Sequence, residues 1–155
     1  MILSATGHRP DKLGGYDKDT TRRIRRAAHR ALLKLGPDKV VSGMALGWDQ
    51  AIAVAALNLG IPFTAAIPFK GQEARWPYDS QREYLDLLDK AARIVCVCDG
   101  RYATWKMQKR NEWMVENSDH VAALWNGTSG GTANCVRYAQ ALRKPITNFW
   151  TDYNG

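Results

Sequence analysis

Short apolar runs alternate with longer amphipathic stretches along the whole chain. Residues 2–6 form a run closed by Gly7, and Val40-Val41-Ser42 a second run stopped by Gly43. Residues 63–67 end at Pro68, 93–97 lead into a loop at 99–104, 121–125 lead into Asn126-Gly127, and 145–150 close the series. Such short continuous apolar runs predict strands buried on both faces. The stretches between them carry helix signals. Asp19 or Thr20 would cap a helix reaching Leu35, where Gly36-Pro37 ends it. Asp49 would cap an alanine-rich helix over 51–59, and Asp79 another through Lys90. Two more follow over 105–117 and 132–142, while 69–78 is irregular and 152–155 is expected to fray.

Repeated strand–helix units predict one α/β domain, 1–155. Its fold would be a Rossmann-like, doubly wound, mostly parallel sheet of about six strands flanked by helices. A length of 155 residues with 45% hydrophobic and 24% charged residues supports a folded core. No apolar run has the length of a membrane span, and the first residues lack the basic lead of a signal peptide. A cytoplasmic location without a membrane partner is therefore expected. Cys96, Cys98 and Cys135 are odd in number, and Cys96-Val97-Cys98 lacks metal-knuckle spacing. Buried, reduced strand thiols are expected. His8, His29 and His120 are scattered, so no metal and no resident cofactor is expected.

A net charge of +7 suits an anionic partner. In doubly wound sheets, ligands bind beyond the carboxyl ends of the strands. Three loops fall there. Thr6-Gly7-His8-Arg9-Pro10 offers a turn glycine, an imidazole and a guanidinium for phosphate. Ser42-Gly43-Met44-Ala45-Leu46-Gly47-Trp48-Asp49 leads from strand to helix, but with neither Walker nor G-x-G-x-x-G spacing. Asp49 reads as a cap rather than a base. Asn126-Gly127-Thr128-Ser129-Gly130-Gly131-Thr132 opens a helix with hydroxyls and adjacent glycines, the composition of a phosphate-binding loop. The arginines of the first helix, Arg22, Arg23, Arg25, Arg26 and Arg30, read as a solvated face. The stretch Arg75-Trp76-Pro77-Tyr78 either walls a base or covers the sheet edge.

These loops resemble the SLOG superfamily. The segment 42–49 is similar to its S-G-x-A-x-G-x-D motif. Thr6-Gly7-His8-Arg9-Pro10, Trp76-Pro77-Tyr78, Gln81 and Tyr84 resemble the YpsA-like branch and its phage-borne relatives. Met107, Arg110, Met114 and Asp119 are similar to part of the signature of the LOG phosphoribohydrolases. The resemblance implies that Arg110 faces the ligand and that Gly130-Gly131-Thr132 ends the phosphate loop. Where LOG enzymes keep a catalytic glutamate, this chain has Asn134 and Cys135, which cannot act as that carboxylate does.

The first expectation is a module that binds a nucleotide or nucleotide-derived molecule, nucleoside phosphate or NAD- or ADP-ribose-like. Its ligand-binding residues would be Thr6, Gly7, His8, Arg9, Ser42, Gly43, Gly47, Asp49, Arg110, Ser129, Gly130, Gly131 and Thr132. The alternative is an enzyme cleaving an N-glycosidic bond, with Glu112, Glu116 or Asp49 as its carboxylate; Glu112 and Glu116 stand one helical turn apart. Single-stranded DNA binding, suggested by the DprA-like branch, ranks last, since the basic helix lacks interleaved aromatics. A homodimer is expected by analogy alone.

Overall fold

The computed structural model describes residues 1–155. Six parallel strands form one sheet: β1 (Ile2–Gly7), β2 (Lys39–Ser42), β3 (Phe63–Ile67), β4 (Arg93–Cys96), β5 (His120–Leu124) and β6 (Ile146–Asn148). Their order is β4-β3-β2-β1-β5-β6, in an α/β Rossmann-like fold. The helices are α1 (Lys18–Leu35), α2 (Trp48–Asn58), α3 (Tyr78–Lys90), α4 (Thr104–Glu116), α5 (Gly131–Ala141) and α6 (Trp150–Asn154). The chain moves outward from β1 to β4, then α4 carries it back so that β5 pairs with the other side of β1. The order therefore reverses at β1, which opens a crevice beyond the carboxyl ends of β1 and β5.

The main core lies where α1, α2, α3 and α6 pack on one face. Alanines of α1 and α2, Ala27, Ala28, Ala31, Ala53 and Ala56, are buried and let the two helices approach closely. On the other face α4 and α5 cover smaller clusters around Val115, Val121, Cys135 and Met114. This second layer is thin because α4 turns Lys106 and Arg110 inward, both buried. Lys106 Nζ donates to the carbonyls of Asp99 and Arg101, which fastens the loop ahead of α4.

Several local expectations are corrected. Asp17, not Asp19 or Thr20, caps α1; its carboxylate accepts from the Thr20 amide and hydroxyl. Asp49 and Asp79 are not caps: they lie inside the first turns of α2 and α3, after Gly47 and Pro77. β4 is not buried on both faces, since it is an edge strand with Ile94 half exposed. Cys96 is accordingly exposed and Cys98 partly so, while Cys135 alone is buried. Residues 150–154 are helical rather than irregular: α6 brings Tyr153 into the core, with its hydroxyl on the Leu13 carbonyl. The apolar signal at 145–150 had merged a short strand with the start of this helix.

Candidate functional site

At the reversal of strand order lies a cavity of about 380 Å³. Its walls come from the loop after β1, the start of α2, the first half of α4 and the loop into α5. Cavities of this size hold small organic ligands. Thr6, Gly7, His8, Arg9, Asp49, Arg110, Ser129, Gly130, Gly131 and Thr132 border it, all candidates from the sequence.

The loop into α5 brings an uncapped helix start to the cavity. Gly130 precedes the helix at φ 140°, a backbone conformation that favours glycine. No side chain caps α5 and no acidic residue lies in its first turn. The first backbone hydrogen bond of the helix runs from Asn134 N–H to the Gly130 carbonyl. The amides of Gly131, Thr132 and Ala133 thus precede the intrahelical ladder and border the cavity. The loop is held from across the sheet. His8, buried, places Nε2 2.9 Å from Asn126 Oδ1 and 3.0 Å from the Asn126 amide. Burial holds the imidazole below its ordinary pKa, which favours the neutral ring. Lys12 Nζ donates to Thr128 Oγ1 at 3.3 Å.

Arg110 reaches the opposite wall. Its Nη1 donates to the Gly43 carbonyl at 2.6 Å and to that of Ala66 at 3.3 Å, and its Nε donates to Asn111. Arg9, Lys12 and Arg110 face the cavity with only Asp11 and Asp49 as acids. Asp49 is buried, and desolvation pushes its carboxyl up to about 6, against the pull of the Arg110 charge.

The loop 42–47 behaves differently. Ser42 Oγ donates to the Asp49 carbonyl and accepts from the Met44 amide. The Gly43 carbonyl takes Arg110 and Gln72, and the Gln50 side chain donates to the Met44 carbonyl. Ser42 and Gly43 are buried and do not border the cavity; Gly47 faces a separate hollow beside α1. The glycines here serve packing. A Cβ on Gly43 would lie 2.7 Å from the Arg110 guanidinium carbon, and one on Gly7 2.5 Å from Trp48. On Gly47, at φ 94°, a Cβ would meet the His8 carbonyl oxygen at 2.6 Å.

Glu112 and Glu116 do not border the cavity. Glu112 accepts from Gln108 one turn earlier, and Glu116, at the far end of α4, accepts from the Tyr138 hydroxyl. Cys135 is buried and its thiol is pushed up to about 11 by desolvation, so it is neutral and unreactive at pH 7. Asn134 is exposed and takes Arg137. Around α1, Arg22 pairs with Asp19, Arg25 with Glu83 and Arg30 with Asp152. No cluster of three or more His, Cys, Asp or Glu side chains is placed to hold a metal ion. No helix is long and apolar enough to cross a membrane.

Lys12, Tyr102, Thr104 and Asn111 also border the cavity and were not among the candidates. Lys12 was legible two residues beyond the first loop. Tyr102 and Thr104 follow β4, far from the reversal in strand order; only the return path of α4 brings them in.

The model of the YspA SLOG family matches residues 3–148. The SPbeta prophage-derived protein YoqJ of Bacillus subtilis (strain 168) is 34% identical over 118 residues, 66% of this chain and 69% of that protein. DNA processing protein A (DprA) from Streptococcus pneumoniae superposes with a TM-score of 0.65 at 17% identity, covering 93% of this chain and 48% of that one. Its counterpart from Helicobacter pylori, described for its single-stranded DNA binding mode, gives 0.67 at 20% identity, with 94% and 63% covered. The chain thus spans about half and just under two thirds of these two DprA chains. At such identities the likeness carries the fold. The low rank given to nucleic acid finds no support among these neighbours.

Proposed function

The chain belongs to the YspA SLOG family, and on that premise we propose that it binds a nucleotide or nucleotide-derived molecule through its phosphate at Gly130, Gly131 and Thr132. One observation carries this reading: an uncapped helix N-terminus opens into a cavity where Arg9, Lys12 and Arg110 converge at the reversal of strand order. The helix dipole and free amides favour negative charge, and the guanidinium groups add charge-assisted donors. His8 borders the cavity and holds the two loops together through Asn126.

Thr132→Glu tests this. A carboxylate at the second position of α5 favours the helix by about 0.3–1 kcal/mol. It also places negative charge where the phosphate would sit. Titration calorimetry with AMP and ADP is expected to show at least a tenfold loss of affinity, while the melting temperature holds or rises. Unchanged affinity in a stable variant would reject the phosphate assignment.

Cleavage of an N-glycosidic bond is a second reading, and Asp49 is the observation that favours it. The carboxyl borders the cavity and keeps its proton up to about pH 6, a suitable range for a general acid. Incubation with nucleoside monophosphates and NAD should then release free base in wild type but not in Asp49→Asn. Binding without release leaves the module reading alone.

A further inference from the structure

A second cavity, of about 500 Å³, adjoins the first. It lies between the loop after β3 and the loop after β4, and Arg9, Tyr102 and Met107 line both spaces. Its composition is one-sided. Arg9, Lys70, Arg75 and Arg101 are among its lining residues, and no Asp or Glu is. Phe69, Trp76 and Tyr102 supply three aromatic rings. Phe69 is buried and meets Tyr102 edge-on at 5.8 Å; Trp76 meets Tyr84 edge-on at 5.3 Å. These contacts brace the rings at angles of 86° and leave Trp76 and Tyr102 part of the wall. Lys106, bound to two carbonyls of the 99–101 turn, fixes the segment that carries Arg101 and Tyr102. The walls are thus braced rather than loose, and they hold four cations that no salt bridge neutralises.

Cations and aromatic rings lining one space select a flat aromatic group attached to an anion, since stacking holds the ring and the guanidinium groups hold the phosphate. We propose that this second cavity takes the second base of a ligand in which two nucleoside units are joined through phosphate, with Arg9 placed at the junction. The inference rests on the phosphate site of the first cavity and extends it. The same two-base chemistry occurs in a free dinucleotide and in a stretch of single-stranded nucleic acid. The two cavities form one trough that a mononucleotide fills only in part.

The test compares AMP, NAD, the dinucleoside monophosphate ApA and the single-stranded oligonucleotide dT10 by titration calorimetry. At least one two-base probe is expected to bind at least tenfold more tightly than AMP. NAD or ApA ahead of dT10 identifies a free dinucleotide; dT10 ahead identifies a nucleic-acid strand. Arg75→Ala/Arg101→Ala, two exposed positions, is expected to remove that advantage while AMP affinity stays within twofold. Trp76→Phe is expected to abolish the tryptophan quenching caused by the two-base probe. Equal affinity for all probes, or an advantage that survives the double substitution, would overturn the second site. Loss of AMP binding itself is a different failure: it would count against the phosphate loop, which Thr132→Glu reads separately.

Discussion

Alanine at position 48 is expected to lower the unfolding free energy by about 3–5 kcal/mol, the usual cost of emptying a large aromatic site in a core. Trp48 is fully buried although it is the first residue of α2. Its ring fills the notch left by Gly7, where a Cβ would sit 2.5 Å away, and it packs at a tilt on Phe149 at 6.2 Å. Nε1 donates to the Ala122 carbonyl at 3.1 Å, so one side chain ties the α2 terminus to β5. Truncation leaves a void between rigid neighbours and removes the donor that reaches Ala122. Trp48→Phe keeps most of the volume and loses that donor, so about 1–2 kcal/mol is expected. Urea unfolding followed by far-UV circular dichroism measures both. A loss below about 1 kcal/mol in Trp48→Ala would mean that the site collapses freely and that the close fit to Gly7 is incidental.

That residue shows where the sequence was legible and where it was not. The strand–helix alternation and the glycine loops at strand ends were readable, because hydrophobic periodicity and turn chemistry are local. The loop 42–49 was readable as a special segment but not in its role. Its glycines suggested amides open to a ligand, yet two of them are required by Arg110 and by the His8 carbonyl, contacts set by chain crossings no local pattern reveals. The exposure of β4 was hidden for a similar reason. An edge strand and a central parallel strand carry the same apolar run, and only the sheet order distinguishes them. Helix starts were misplaced by two residues where an acid inside the first turn imitated a cap, as at Asp49 and Asp79. Arg110 was singled out only through a family resemblance, and it borders the cavity; helical periodicity assigns no direction to a lone cation in a mixed-charge helix.

The pH dependence of stability should turn on Asp49. Desolvation raises its folded-state pKa from the ordinary 3.8 to about 6. Between those values the folded protein keeps a proton that the unfolded chain has released, so the folded state binds more protons and stability falls as pH rises. Below 3.8 both states hold the proton, and above about 6 both have lost it, so this group gives no slope outside the window. Its contribution amounts to about 3 kcal/mol between pH 4 and pH 7. Asp49→Asn keeps the shape and cannot ionise. It is expected to match wild type near pH 3.5 and to exceed it by up to about 3 kcal/mol at pH 7. Urea unfolding at half-unit steps from pH 3.5 to 7.5 reads the difference, in which all other carboxylates cancel. Parallel profiles would show that the carboxyl is solvated in the folded protein. Arg110→Met removes the charge that pulls this pKa down, so the upper end of the window should move further up and the loss at pH 7 should deepen. That variant also strips the Gly43 and Ala66 carbonyls of a charged donor, worth about 1.5–3 kcal/mol for each bond. The double variant then separates the two effects. Adding Asp49→Asn to Arg110→Met should restore the electrostatic part and leave the lost hydrogen bonds, a coupling that two independent sites would not display.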